Sequence, residues 1–123
     1  LLITGDVGRD VERRLLGGLP STVTLLVAGH HGSATSSGIL LVRHLAPLHV
    51  VFSAARDNPF GHPAGPVVRR FRDVGSCLWS TALDGALTLW LGDDAPLDVR
   101  TERPAAWRQS GVGGGCLALE SPH

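Results

Sequence analysis

The chain has no lysine, no methionine and no tyrosine, and only two cysteines among its 123 residues. All eleven basic side chains are arginine and eleven acidic ones balance them, so the formal net charge is zero. No global charge excess therefore marks the whole chain as a nucleic-acid or membrane surface. Cys77 and Cys116 are too few for a disulfide framework and lack the paired spacing of a zinc site. Cys77 lies in an apolar stretch and reads as a buried free thiol. No run approaches the roughly 20 apolar residues of a membrane-spanning helix. A glycine-rich nucleotide cradle, a paired-carboxylate glycosidase site and a Ser-His-Asp order are all missing as well.

What is present suits one small globular domain: 43% of the residues are hydrophobic, and strand and helix patterns alternate. Leu1 to Thr4 reads as a strand. A helix follows over Arg9 to Leu16, with Val7, Val11 and Leu15 as its apolar face and Gly17-Gly18 as its stop. Val23 to Ala28 is a strand, Ser37 to Leu45 a helix and His49 to Ser53 a strand. Pro66 to Val74 is a helix that Gly75 ends. Ser76 to Thr81 and Ala86 to Leu91 read as a hairpin around Leu83-Asp84-Gly85, with Trp79 and Trp90 packing it. Past Gly92 the periodicity fades. The expected division is a partial domain over 1–92 and a poorly ordered tail over 93–123. The opening strand has no upstream partner, and the chain reads as a piece of a longer protein.

Three strands each deliver a polar group just past their carboxyl ends. Leu1-Leu2-Ile3-Thr4-Gly5 leads to Asp6. Thr24 to Ala28 leads through Gly29 to His30 and His31. His49 to Ser53 leads to a Pro-bracketed loop with Asn58 and His62. Strand ends in one sheet share an edge, where α/β folds place their chemistry. A carboxylate with imidazoles is a ligand set for zinc, manganese or iron, and a carboxylate can bridge two cations about 3.5–4 Å apart. Adjacent side chains of an extended strand point apart, so His30 and His31 reach one cluster only if the backbone turns between them. One of the two is expected to ligate and the other to sit behind it or touch a substrate phosphate. Ser33, Thr35, Ser36 and Ser37 suit capping of the next helix, whose N-terminus favours anions. His44 and His49 flank a helix-to-strand connection and read as solvent or helix-end residues. Arg56 stands beside the candidate loop.

Leu-Leu-Ile-Thr-Gly-Asp (1–6), Val-Ala-Gly-His-His-Gly-Ser-Ala-Thr-Ser-Ser (27–37), Phe-Ser-Ala-Ala-Arg-Asp-Asn-Pro-Phe-Gly-His-Pro (52–63) and Ser-Thr-Ala-Leu-Asp-Gly-Ala-Leu (80–87) together resemble one family. It is the C-terminal metallo-β-lactamase-fold domain of ComEC-type competence proteins, which internalise DNA in transformable bacteria. The resemblance runs from Leu1 to about Leu91. It implies an α/β fold, namely the C-terminal half of an αββα sandwich with a two-metal site of zinc or manganese. It implies Asp6 as the bridging ligand, His31 as a metal ligand, His30 as the substrate-phosphate partner, and Asn58 and His62 as an Asn-x-x-x-His-Pro motif near the cleft. The reaction implied is phosphodiester hydrolysis of the DNA strand that is not transported. The implied partners are single-stranded DNA and the rest of a parent chain with its membrane channel. The implied location is the extracytoplasmic side of a bacterial inner membrane. The family's upstream histidine signature is absent here, so the chain carries about half a site and is expected to be inactive alone. Hydrolysis of a phosphocholine ester, a lactone or RNA, or a folded module without chemistry, are the alternatives.

Overall fold

The computed structural model describes residues 1–53, 64–91 and 98–102, and for His30, His31, Ala82, Leu83 and Asp98 the backbone alone. Four strands lie side by side in chain order: β1 (Leu2–Ile3), β2 (Leu25–Val27), β3 (His49–Phe52) and β4 (Cys77–Ser80). All three pairings are parallel. Helices α1 (Arg9–Leu15), α2 (Ile39–Leu45) and α3 (Gly65–Asp73) make the crossovers. Crossovers of one hand, taken in sequential order, bring successive helices side by side. Accordingly α1 packs on α2 and α2 on α3. The strand-helix alternation of the sequence therefore becomes a mixed α/β fold on a parallel sheet.

Register decides which side chains share a face. Leu26, Val50 and Leu78 align across β2, β3 and β4, and all three are buried. Phe52, two residues after Val50 and so on the same face, meets Phe71 of α3 edge-on with ring centroids 5.9 Å apart. The other face carries the row Ile3, Val27, Val51, Trp79. Exposure falls along that row from 65% at Ile3 to 4% at Trp79. Beyond β4 the chain forms a short helix α4 (Thr81–Asp84) and an antiparallel pair, β5 (Leu87–Trp90) with β6 (Asp98–Thr101). Leu87, Leu89 and Val99 from this pair pack against the core. On the opposite side of β5, Trp90 is exposed, with the Arg100 guanidinium 5.1 Å above its ring.

Several sequence expectations change. The hairpin between β4 and β5 does not form, because Cys77-Leu78-Trp79-Ser80 is buried at every position. A continuous buried run suits a strand covered on both faces, whereas a half-exposed hairpin strand would alternate. Trp79 therefore packs within the parallel sheet. Asp84 is fully buried and accepts the Ser80 N–H at 2.8 Å, while Gly85 keeps a turn conformation with φ +74°. The strand β6 falls in the stretch read as tail; residues 103–123 lie outside the described residues. Cys77 is buried as expected but is disulfide-bonded and not free. On α1, Val11 and Leu15 are exposed and Glu12 is buried, the reverse of the expected face. His44 is the helix-end residue expected, 3.0 Å from the Leu19 carbonyl. His49 is not at the surface: it is buried, and its Nδ1 accepts the Trp79 indole N–H at 3.2 Å. Burial pushes the His49 imidazole below its ordinary pKa. Among the described residues, no helix is long and apolar enough to cross a membrane.

Candidate functional site

Parallel pairing puts the carboxyl ends of all four strands on one edge of the sheet. Leu2 pairs with Leu26 and Ile3 with Val27. Asp6 thus stands three residues past Ile3, and His30 three residues past its partner Val27. The two turns are locked together. The Thr4 hydroxyl donates to the Val27 carbonyl at 3.3 Å, and Gly5 takes the left-handed conformation, φ +59°, that turns the chain into Asp6. Gly29, just before the histidine pair, sits directly on this turn: a Cβ there would lie 2.9 Å from Thr4 Oγ1. Only glycine lets the two strand ends approach so closely.

His30 and His31 lie within a single 3₁₀ turn, Gly29–Gly32. The backbone therefore turns between them, the condition that joint reach required. Their side chains lie outside the described atoms. Asp6 is exposed at the edge.

The segment after the histidines is tied to α1 and not to its own helix. Ser36 Oγ donates to the Val7 carbonyl, and the Arg9 N–H donates to the Thr35 carbonyl at 3.0 Å. The buried Glu12 carboxylate accepts the Ser37 N–H at 2.7 Å and the Gly38 N–H at 2.9 Å. No side chain of the Ser/Thr cluster caps α2, whose N-cap is Gly38. Glu12 supplies the anion that the helix start prefers, so that terminus is already filled by the chain's own carboxylate. Ser37 adopts φ 52°, a conformation disfavoured for a residue with Cβ, and Arg70 Nη1 holds its carbonyl at 3.1 Å.

The third strand end contributes through its return. Ala64, two residues past His62, donates its N–H to the Gly32 carbonyl at 2.8 Å, which fastens that loop's exit to the histidine turn. Asn58, His62 and Arg56 lie outside the described residues. The fourth strand end was missed by sequence reasoning, since reading β4 as a hairpin strand removed it from the edge. It brings Ser80, whose buried Oγ has no hydrogen-bond partner among the described residues, and Thr81, whose Oγ1 donates to the Phe52 carbonyl at 3.5 Å. The available signal was the unbroken apolar run Cys77-Leu78-Trp79.

Among the described residues, no three His, Cys, Asp or Glu side chains gather to hold a metal. The donor set that backbone placement brings to the edge is the Asp6 carboxylate with the His30–His31 turn. Its chemistry fits a divalent cation such as zinc or manganese.

Over 94 residues the chain is 38% identical to Competence protein ComA of Neisseria gonorrhoeae, covering 75% of this chain and 14% of that protein. It is 30% identical over 69 residues to ComE operon protein 3 of Bacillus subtilis, covering 55% of this chain and 9% of that protein. It is 33% identical over 88 residues to Recombination protein 2 of Haemophilus influenzae, covering 69% of this chain and 11% of that protein. The chain thus spans about a seventh or less of the length of these curated relatives. No protein-family profile matches it. No solved structure matches it either.

Proposed function

We propose that this chain is the C-terminal half of a metallo-β-lactamase-type domain in a ComEC-type DNA-uptake protein, and that the complete domain hydrolyses phosphodiesters in single-stranded DNA. The reading is carried by one observation. Parallel pairing of β1 and β2, with Gly29 seated on the Thr4–Asp6 turn, brings Asp6 and the His30–His31 turn to the same sheet edge. Similarity to competence proteins directs the choice of DNA. The alternation of β-strand and helix, with a parallel sheet in chain order, is consistent with half of a sandwich.

In this reading Asp6 and His31 would hold the divalent cation. Bound divalent cations would supply Lewis-acid stabilisation of the charge that develops on phosphorus oxygens. His30 contacts the substrate phosphate, and Asn58 and His62 orient the strand from the third loop. The buried network from Glu12 and Ser36 holds the histidine turn against Asp6, so that the donors need not reorganise during reaction.

The test is hydrolysis of single-stranded DNA, with manganese or zinc, by a polypeptide that carries this segment together with the upstream portion of its domain. Chelator-sensitive cleavage, reduced by orders of magnitude in Asp6→Ala, is expected. Cleavage that is unaffected by Asp6→Ala and His31→Ala would refute the assignment.

A further inference from the structure

We propose that the exposed arginines of α1 form a docking track for the phosphates of single-stranded DNA, immediately beside the strand-edge site. That the docked strand is also the one cut rests on the reading above; the track itself does not.

The observations are local, because the net charge of the chain is zero. Arg9, Arg13 and Arg14 are all exposed. They line an open groove of about 610 Å³ whose other walls include Gly8, Asp10 and Thr35. Arg9 and Arg13 also border a second depression of about 220 Å³ toward Gly38 and Ile39. The neighbouring Glu12 carboxylate is buried and accepts two backbone N–H groups, which ties it to the Ser37–Gly38 segment but leaves its charge in place. Among the described residues, Asp10 is the one carboxylate on the groove wall. On α3, Arg70 is less available, because it is committed to the Ser37 carbonyl.

Position and spacing fit the partner. Arg9 follows Asp6 by three residues, and its backbone is bonded to Thr35 just past the histidine turn. From Arg9 to Arg14 the helix rises about 7.5 Å, so the three guanidinium groups can reach more than one backbone phosphate. Guanidinium forks match phosphate oxygens in pairs. Arginine stems also give the track defined positions: the Arg9 methylenes lie over Gly38, where a Cβ would meet Cγ and Cδ at 3.2 Å. A groove beside the strand-edge site, lined by exposed guanidinium groups, would hold the strand in register without reading its bases.

The test measures binding of a fluorescein-labelled oligothymidylate of about twelve nucleotides to the 123-residue chain by anisotropy, with EDTA present, over roughly 25–200 mM salt. The triple variant Arg9→Gln/Arg13→Gln/Arg14→Gln should bind about tenfold or more weakly at low salt. Its log–log salt slope should shrink by about 2, near 0.7 per lost contact. The corresponding triple Lys variant should keep most of the slope, and Asp10→Asn should tighten binding. Circular dichroism on each variant confirms the fold. An unchanged salt slope in the Gln variant overturns the track, as does absence of salt-dependent binding by the wild-type chain. Arginine-dependent binding to phosphatidylglycerol vesicles but not to the oligonucleotide overturns it in favour of a membrane surface. Because no hydrolysis enters this measurement, a phosphodiesterase assay that fails while binding behaves as expected rejects the proposed function and leaves the track standing.

Discussion

The Glu12 carboxylate accepts the backbone N–H of Ser37 at 2.7 Å across a gap of 25 residues, and so fastens the segment after the histidine pair to the helix after Asp6. The same carboxylate takes the Gly38 N–H. Glu12→Ala would strand the Ser37 donor at a buried position, at about 1–3 kcal/mol, and the Gly38 donor at a partly buried one, at less. Urea unfolding should show that loss, and Glu12→Gln should cost less because its carbonyl still accepts one of the two. A Glu12→Ala protein as stable as the parent would mean that water replaces the carboxylate without loss.

Gly29→Ala tests the contact between the two strand ends. Its Cβ would meet Thr4 Oγ1 at 2.9 Å, while the Gly5 and Val7 carbonyls lie at an ordinary 3.5 Å. Overpacking of this kind costs about 1–3 kcal/mol. Since a single oxygen causes the conflict, Thr4→Ala should relieve part of it. A double-mutant cycle should therefore give a favourable coupling of about 0.5 kcal/mol or more, and strict additivity would show that the conflict lies elsewhere.

His49 makes stability depend on pH. Its folded pKa lies below the unfolded value of 6.5 because burial disfavours the imidazolium. Between those two values the unfolded chain binds the extra proton, so stability rises with pH. The contribution is fully present above about pH 6.5 and is lost as pH falls toward the folded pKa. Its slope is at most about 1.4 kcal/mol per pH unit. Denaturant midpoints measured at a series of pH values should show this slope in the parent and a shallower one in His49→Gln. Equal slopes would show that His49 does not carry the effect.

Asp84→Ala separates fold from chemistry. Asp84 is buried and accepts the Ser80 N–H at 2.8 Å, so its loss should lower stability by about 1–3 kcal/mol. In a complete domain, Asp6→Ala and His31→Ala should instead remove most of the metal-dependent rate with smaller changes in melting temperature. His62→Ala should cost about 10²–10³ in rate if it steadies a phosphate. The 123-residue chain by itself should cleave nothing above background, and chelator-sensitive cleavage by it would overturn the half-site argument.

The sequence by itself determined the alternation of strand and helix, and the arrival of Asp6 and the His30–His31 pair at strand ends. Those features follow from local patterns: an apolar run, a glycine that permits a turn, and polar residues directly after it. It also placed Asn58 and His62 in the third loop, outside the described residues. Tertiary structure decided the rest. Whether Cys77–Ser80 pairs with β3 or with β5 depends on which partner buries both of its faces; the apolar run Cys77-Leu78-Trp79 signals burial but does not name the partner. Glu12 faces inward because a segment 25 residues away offers two unpaired N–H groups, and helical periodicity alone assigns that position to the surface. His49 is buried for a similar reason: the indole of Trp79, 30 residues on, supplies its hydrogen bond. Local sequence fixes where the chain turns and which residues stand at each turn. Burial of a polar group depends on a partner brought from elsewhere in the chain.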